Sequence, residues 1–383
     1  MTILRAACLA LLAAFLASPA AAQAFETKAQ QAFMIDAETG TVLFSKDPDK
    51  LIPPASMAKL MTSEIIFNSI KTKEHALTDT FVVSEHAWRT GGAPAGGSTM
   101  FAELKSIIPL DALLQGIIVQ SANDGCIIVA EGMAGSEENF AKLMTDRARA
   151  LGLKKSIFKN STGLPAEGQL VTVRELALLG LHMWKAYPEL YKYYSQPEFK
   201  WNKINQRNRN PLLAMGIGAD GMQTGFTEES GYAIVASAAS SGRRVFAAMG
   251  GMSSDKERAE EARRLIDWGM KSFDTKLLFA DGAVIGEASV FGGAKGGVAL
   301  KAKGPVEILV PSDNRDKMIA RIVYVGPVVA PVKAGIPVGS LKIWIGDTLS
   351  QETPLFTAES VAVGSLSQRA IGAVEELLIG WMR

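Results

Sequence analysis

The chain has 383 residues, more than one hydrophobic core usually organises, so we expect two folded units with terminal segments. Its 40 basic and 39 acidic residues leave a formal charge of +1, which gives no electrostatic reason to expect a nucleic-acid partner. The three histidines lie apart in the sequence and show no metal-ligand spacing, so we expect neither a metal nor a cofactor.

The first 24 residues have the pattern of a secretory signal peptide. Arg5 precedes the apolar stretch Ala6 to Ala17, and mostly small residues follow up to Ala24. Cleavage after Ala22 or Ala24 satisfies the small-x-small rule. A membrane span needs roughly 20 apolar residues, more than this stretch has. We therefore expect an exported, periplasmic protein, and an uncleaved membrane anchor is the alternative.

Residues 25–272 predict one α+β domain. Alternating apolar runs around turn residues predict an early hairpin, Ala32 to Ile35 and Thr41 to Phe44. Apolar residues at three- and four-residue spacing then predict helices over Met57 to Ile70, Pro109 to Met133, Glu137 to Leu151 and Val171 to Tyr187. Two strands and a charged helix follow, over Tyr232 to Ala238, Arg244 to Met249 and Lys256 to Met270. We expect the early and late strands to share one sheet.

Residues 273–353 predict a small all-β domain. Short β-rich runs broken by glycine and proline include Val306 to Val310, Ile319 to Tyr324 and Leu341 to Ile345. Residues 273–353 contain no cluster of histidine, cysteine or paired carboxylates that would indicate a catalytic site. We therefore expect a spacer or a platform for a partner.

The last segment, residues 354–383, predicts an amphipathic helix. One side of a helical wheel is apolar and carries Leu366, Ala370, Ile371, Ala373, Val374, Leu377, Leu378, Trp381 and Met382. The adjacent Glu375 and Glu376 disfavour a bilayer span, whereas an apolar side that ends in a tryptophan suits the membrane interface. The polar side lacks lysines, so docking on the protein itself is the alternative.

The first chemical motif is Ser-x-x-Lys, which follows two prolines. Pro53 and Pro54 fix where the helix starts, so Ser56 falls in its first turn with Lys59 on the same face. A serine hydroxyl needs a positioned base, and no histidine lies beside a serine motif. Lysine can serve when burial, a nearby cation or the helix dipole lowers its pKa. Ser56 is thus the candidate nucleophile and Lys59 its base, although a capping serine and a surface lysine give the same spacing by chance.

Two further motifs support this chemistry. Ser121 and Asn123 lie where an apolar run ends, at a break from which a polar triplet can face a cleft. Ser121 is suited to relay a proton, and Asn123 to hold a substrate amide. Gln223, Thr224 and Gly225 come directly before a predicted strand, whose edge can bind an extended peptide while the glycine permits close approach.

Three motifs in this order after a signal peptide resemble the low-molecular-mass penicillin-binding proteins, the serine-type D-alanyl-D-alanine carboxypeptidases. The resemblance spans nearly all of the mature chain and includes residues 53–62, 121–124, 151–153, 160–164, 208–213 and 221–232. It implies a transpeptidase/β-lactamase-like catalytic domain, with a helical cluster and an antiparallel sheet. It also implies a small β domain and an amphipathic tail that tethers the enzyme to the outer face of the inner membrane.

The resemblance implies a role for each motif residue. Ser56 is the acylated nucleophile and its amide contributes to the oxyanion hole, Lys59 accepts the proton, and Ser121 and Asn123 form the second catalytic wall. The substrate is then a peptidoglycan stem peptide ending in D-Ala-D-Ala, and β-lactams are covalent inhibitors.

One departure concerns the third motif, which in the family begins with lysine. Gln223 donates hydrogen bonds but carries no charge, and the loss of a charge-assisted contact costs roughly 1.5 to 3 kcal/mol. Arg258 stands at about the position of an arginine that the family uses near the substrate carboxylate, and it is the candidate to compensate. A surface arginine in a charged helix is the alternative reading of that residue.

Several functions stay open on these residues. The leading one is removal of the terminal D-alanine through an acyl-enzyme on Ser56. The second is a weakly active or non-catalytic protein that binds peptidoglycan or β-lactams, because of Gln223. A β-lactamase shares the motifs but needs a water-activating base that the sequence does not identify, and an endopeptidase is the remaining alternative.

Overall fold

The computed structural model describes residues 25–312 and 317–370. The expected signal peptide, residues 1–24, lies outside the described residues, as does most of the expected tail helix, residues 371–383. In the two described ranges no helix combines the length and the apolar character that a membrane span needs.

The described chain contains the predicted helices and strands in their predicted order, together with further short helices and strands that the periodicity did not indicate. The helices are α1 Lys59–Thr72, α2 Glu85–Thr90, α3 Leu110–Val119, α4 Asn123–Ala134, α5 Glu137–Ala150, α6 Val173–Ala186, α7 Pro188–Tyr191 and α8 Asp255–Lys271. The strands of the first domain are β1 Gln31–Asp36, β2 Val42–Lys46, β3 Thr80–Val82, β4 Ile107–Pro109, β5 Glu198–Trp201, β6 Ile204–Arg207, β7 Ala219–Thr227, β8 Gly231–Ser240 and β9 Arg243–Met252. Those that follow are β10 Phe273–Phe279, β11 Gly286–Phe291, β12 Gly297–Lys301, β13 Val306–Pro311, β14 Met318–Tyr324, β15 Val328–Val329, β16 Pro337–Ile345 and β17 Thr348–Thr357.

A five-stranded antiparallel sheet organises the first domain, with strand order β2-β1-β9-β8-β7. The early hairpin therefore joins the late strands, which confirms the predicted shared sheet. Side chains alternate between the two faces of a strand, and both faces are buried. On β1, Phe33 and Ile35 pack with the helical cluster, whereas Ala32 and Met34 pack with the α8 side. The sheet is thus the middle layer of three.

The predicted helical run Pro109 to Met133 is two helices. α3 ends at Val119 and α4 begins at Asn123. Ser121 between them has φ +59, a left-handed conformation that interrupts a helix. The second motif therefore lies on a turn between two buried helices, at the break that its sequence indicated.

The second domain is all-β and has its own core. A six-stranded sheet has the order β14-β16-β17-β12-β11-β15, and β10 pairs with β13. Its buried residues include Leu300, Ile308 and Ile343. The expected end at residue 353 falls inside β17, which continues to Thr357, and Val361 then bridges to Val332. The β structure therefore extends past that boundary, and helical backbone appears only from residue 366.

A buried hydroxyl links the two domains. The Thr41 hydroxyl, in the turn between β1 and β2, donates to Gln351 Oε1 at 3.2 Å and accepts from the Leu309 amide at 3.2 Å. Leu309 itself packs among side chains of the first domain such as Leu265. The β domain thus packs directly against the sheet of the first domain.

Candidate active site

Ser56 lies in a short 3₁₀ turn, Ala55–Ala58, that leads into α1. Ala55 has φ +48, a conformation that a residue with a Cβ adopts only when its surroundings fix it. The turn places Lys59 at the first position of α1, with its Nζ 3.0 Å from Ser56 Oγ. The sequence predicted this pair on one helix face, and the structure brings the two side chains into hydrogen-bond contact.

Lys59 is almost fully buried, with 1 % of its surface exposed. Its Nζ also donates to the Thr162 carbonyl at 2.6 Å. Burial disfavours the ammonium and, together with the Arg209 guanidinium, lowers the pKa of Lys59 to about 8. The carboxylates of Asp124 and Glu137 act in the opposite direction. A useful fraction of the amine is therefore neutral near physiological pH, as a general base requires.

The Cys126 thiol is buried close to the same lysine. Burial raises the pKa of Cys126 to about 12, so the thiol stays neutral over the range in which Lys59 titrates. The apolar neighbours predicted a buried residue, and the structure places Cys126 fully inside the helical cluster.

The second motif supplies a hydroxyl to the site. Ser121 is 3 % exposed, and its Oγ accepts a hydrogen bond from Gln223 Nε2 at 3.2 Å. Asn123 starts α4, and its side-chain amide lies against Gly97, because a Cβ there would stand 3.2 Å from Nδ2. Among the described residues, Asn123 is not one that lines the cavity at Ser56. The motif's serine thus faces the cavity, and the side chain of its asparagine contacts Gly97.

The third motif forms part of β7, which passes beside the nucleophile. A Cβ on Gly225 would stand 2.9 Å from Ala55 Cβ and 3.2 Å from the Ser56 amide nitrogen. Only glycine allows this approach without displacing the turn. Gln223 is 4 % exposed and Thr224 is 7 % exposed, so the strand presents a short polar edge to the cleft.

A cavity of about 780 Å³ beside the nucleophile is lined by at least one residue of each of the three motifs. It is lined by Ser56, Ser121, Thr224, Gly225 and Arg258, together with Arg207, Arg209, Tyr232 and Asp255. Three arginines line it against one acid, Asp255, which contacts Arg258, so positive charge is in excess. A carboxylate is therefore the ligand group that this side of the nucleophile suits best.

Arg258 reaches this cavity from α8, so it is not a surface arginine. It is 7 % exposed, and its guanidinium lies 5.7 Å from the centre of the Tyr232 ring. One Nη contacts Asp255, whereas the buried Nε has no hydrogen-bond partner among the described residues. A buried donor without a partner is costly, so this side chain is prepared to receive an acceptor from a ligand.

A second cavity, of about 830 Å³, opens on the other side of Ser56. Its apolar lining includes Pro53, Pro54, Leu164 and Phe226. Its acidic lining consists of Glu167, Glu228 and Glu229. The nucleophile therefore lies where a cationic cavity and a more apolar, acidic cavity meet. An extended peptide has room on both sides of the bond under attack.

The comparisons with known proteins agree with this geometry. Residues 17–253 match the family described as D-alanyl-D-alanine carboxypeptidase. The chain belongs to that family. Residues 273–363 match the family described as penicillin-binding protein 5, C-terminal domain. The transpeptidase-like catalytic domain with a small β domain, expected from the motifs, is thereby confirmed.

Individual relatives support the assignment over most of both chains. D-alanyl-D-alanine carboxypeptidase DacC of Escherichia coli is 34 % identical over 339 residues, which are 88 % of this chain and 85 % of that protein. The crystal structure of penicillin-binding protein 5 from Haemophilus influenzae superposes with a TM-score of 0.74 at 31 % identity, over 89 % and 99 % of the two chains. Penicillin-binding protein D2 from Listeria monocytogenes, in its ampicillin-bound form, gives 0.56 at 25 % identity, over 65 % and 100 %.

Sequence reasoning missed two groups at the carboxypeptidase site. Arg209 lines the cavity and donates through Nε to the Gln120 carbonyl at 3.1 Å. Asp124 accepts from the Thr99 hydroxyl at 2.6 Å and from the Met100 amide at 3.0 Å, which holds the loop beside Ser98. The stretch 208–213 carried the family resemblance, but no local pattern indicated that its arginine faces the nucleophile.

Proposed function

We propose that the chain is a serine-type D-alanyl-D-alanine carboxypeptidase that removes the terminal D-alanine from peptidoglycan stem peptides. One observation carries the proposal: a buried lysine amine lies 3.0 Å from the hydroxyl of Ser56 inside a cavity lined by arginines. The lysine is suited to take the hydroxyl proton. The arginines are suited to hold the carboxylate of a terminal amino acid.

The reaction follows from this arrangement in two stages. Ser56 Oγ attacks the carbonyl carbon of the penultimate D-alanine, and its proton passes to Lys59 Nζ. The Ser56 amide N–H stabilises the negative oxygen, as the family resemblance implies. The proton then moves through the Ser121 hydroxyl to the leaving nitrogen, the C–N bond breaks, and D-alanine departs. Water next attacks the ester, Lys59 accepts its proton, and return of that proton to Ser56 Oγ releases the shortened peptide.

The same first stage explains how a β-lactam would react. The lactam carbonyl takes the place of the peptide carbonyl, and its carboxylate lies toward the arginine-lined cavity. Opening the ring leaves the amine attached to the acyl group, so the leaving group does not diffuse away. We therefore expect an adduct on Ser56 that lasts longer than the peptide acyl-enzyme.

A second candidate function is a weakly active protein that binds peptidoglycan or β-lactams. Gln223 favours it, because its neutral amide stands 3.2 Å from Ser121 Oγ at the position where the family has a cation. Gln223 still donates a hydrogen bond to Ser121, so compared with a lysine at this position the side chain lacks only the positive charge. Arg209 and Arg258 line the same cavity and restore positive charge close by, which favours the enzyme over the binder.

Intact-mass analysis after exposure to a penicillin, together with D-alanine release from a D-Ala-D-Ala peptide, tests the proposal. We expect wild type to gain the adduct, to lose it with time and to release D-alanine, and Ser56→Ala to do none of these. The Gln223→Lys variant separates the two candidates. Release of D-alanine only after Gln223→Lys would support the binder, and an adduct on Ser56→Ala would refute the nucleophile.

We also propose that the protein works in the periplasm, at the outer face of the inner membrane. The leader-like residues 1–24 and the apolar side of residues 366–382 support this location. The test is fractionation of the full chain against a variant that stops after Ala370. We expect the full chain with the membranes and the shortened one in the soluble periplasmic fraction, and identical fractions would contradict the tether.

A further inference from the structure

A glutamate at the start of α5 holds the loop that receives the catalytic lysine. Glu137 Oε1 accepts from the Ser161 amide at 3.0 Å and from the Ser161 hydroxyl at 2.8 Å. The Ser161 carbonyl in turn accepts from the Thr62 hydroxyl at 2.6 Å. Ser161 is fully buried, so these bonds fix its backbone from both sides.

The next residue of this loop contacts the base. The Thr162 carbonyl is the one that accepts from Lys59 Nζ at 2.6 Å. Gly163 follows with φ +82, and a Cβ on it would stand 1.8 Å from the Ala55 carbonyl oxygen. The loop, residues 160–163, is therefore clamped between Glu137 on one side and the turn that carries the nucleophile on the other.

We propose that Glu137 is a positioning residue, which fixes this loop and through it holds Lys59 at the nucleophile Ser56. A lysine side chain has four rotatable bonds, and its amine must stay within hydrogen-bond distance of Oγ to take the proton. One anchor for that amine is the Thr162 carbonyl. The position of the Thr162 carbonyl depends in turn on the two hydrogen bonds that the neighbouring Ser161 donates to Glu137.

The charge of Glu137 has a separate effect. Its carboxylate stabilises the ammonium of Lys59 and so opposes the effect of burial on the pKa of that lysine. His86 Nε2 lies 3.6 Å from Glu137 Oε2 on the outer side. Asp124 also raises the pKa of Lys59, and Arg209 lowers it. Position and charge can therefore be tested by different substitutions at one residue.

Three variants distinguish these effects. Glu137→Asp keeps the charge but draws the carboxylate back by one methylene, so Ser161 loses its acceptor. Glu137→Gln keeps an acceptor oxygen in place and removes the charge. Glu138→Asp is the matched control, because Glu138 is the adjacent acid in the same first helical turn, and among the described residues the hydrogen bonds from Ser161 go to Glu137 and not to Glu138.

The measurement is the second-order rate constant for acylation by a penicillin, from pH 6 to pH 9.5, on variants whose thermal unfolding shows a folded protein. We expect Glu137→Asp to acylate about tenfold more slowly than wild type, because small displacements of a catalytic group cost large factors in rate. Glu137→Gln should stay within about threefold of wild type, with the midpoint of its pH profile moved to lower pH. Glu138→Asp should match wild type.

Two results would overturn the inference. One is an acylation rate constant of Glu137→Asp within about twofold of the wild-type value. The other is an equal decrease of this rate constant in Glu137→Asp and Glu137→Gln. The inference rests on the proposed acylation of Ser56, and the two fail differently. If wild type forms no adduct, the proposed function is refuted, whereas an adduct that forms equally fast in both Glu137 variants refutes only the positioning role.

Discussion

At the residue scale, the lysine base depends on burial more than on any one charge. Lys59 starts α1 next to the loop of residues 160–163, and among the described residues its amine has two acceptors, Ser56 Oγ and the Thr162 carbonyl. Loss of water disfavours the ammonium, and the pKa falls from its usual value of 10.5 to about 8. The site thus makes a base from a residue that is otherwise an acid at neutral pH.

This pKa predicts how acylation depends on pH. Only the neutral amine can accept the Ser56 proton, so the rate constant should fall about tenfold for each pH unit below 8 and level off above it. The measurement is adduct formation with a penicillin between pH 6 and 9.5, with protein fluorescence as the control for folding. The neighbouring thiol does not titrate in this range, since the pKa of Cys126 is about 12. A flat profile from pH 6 to 8 would contradict Lys59 as the base.

The sequence predicts contacts between near neighbours better than contacts between distant residues. Ser56 and Lys59 are separated by three residues, so one helical turn is enough to predict that they meet. The contact between Gln223 and Ser121 spans 102 residues, and no local pattern predicts it; the family resemblance only grouped the two motifs. Glu137 and Arg209 belong to no short pattern, and their place at the site depends on the packing of whole elements.

At the element scale, the nucleophile's turn is shaped by two close backbone approaches. β7 passes it at Gly225, and the loop of residues 160–163 passes it at Gly163. Apolar periodicity predicted the helices around this point, because their buried faces repeat with the helical period. The approaches themselves depend on the tertiary fold, and a glycine in a sequence does not show which strand or loop it touches.

Gly163→Ala should disrupt the site through this contact. The new methyl group would stand 1.8 Å from the Ala55 carbonyl oxygen, and φ +82 is unfavourable for alanine, so the loop and the turn must separate. We expect acylation to fall by about 100-fold or more, with a smaller loss of stability. The measurement is adduct formation on protein whose thermal unfolding is recorded in parallel. Gly168→Ala is the control, because its φ of +74 is similar and its nearest neighbour is a flexible lysine side chain at 3.6 Å. Equal acylation by both variants would contradict the steric argument.

At the scale of the whole molecule, two domains share a buried polar contact. Thr41 is fully buried between the central sheet and the β domain, where it binds Gln351 and the amide of Leu309. The sequence predicted two domains from the change in composition near residue 273. It did not predict how they meet, because the contact joins residues from three distant parts of the chain.

Thr41→Val should therefore lower the free energy of unfolding of the whole molecule without changing the acylation of Ser56. Valine has nearly the shape of threonine, so packing is kept while the Leu309 amide loses its hydroxyl acceptor and stays buried. Leaving such a donor unpaired costs about 1–3 kcal/mol. Chemical denaturation should show this loss, and Thr348→Val, at an exposed strand position, should change stability by less than about 0.5 kcal/mol. Acylation of Ser56 at low temperature should equal that of wild type, because Thr41 lies in the β1–β2 turn and lines neither cavity at the nucleophile. If Thr41→Val is as stable as wild type, the hydroxyl does not hold the domains together, and their apolar contacts around Leu309 carry the interface alone.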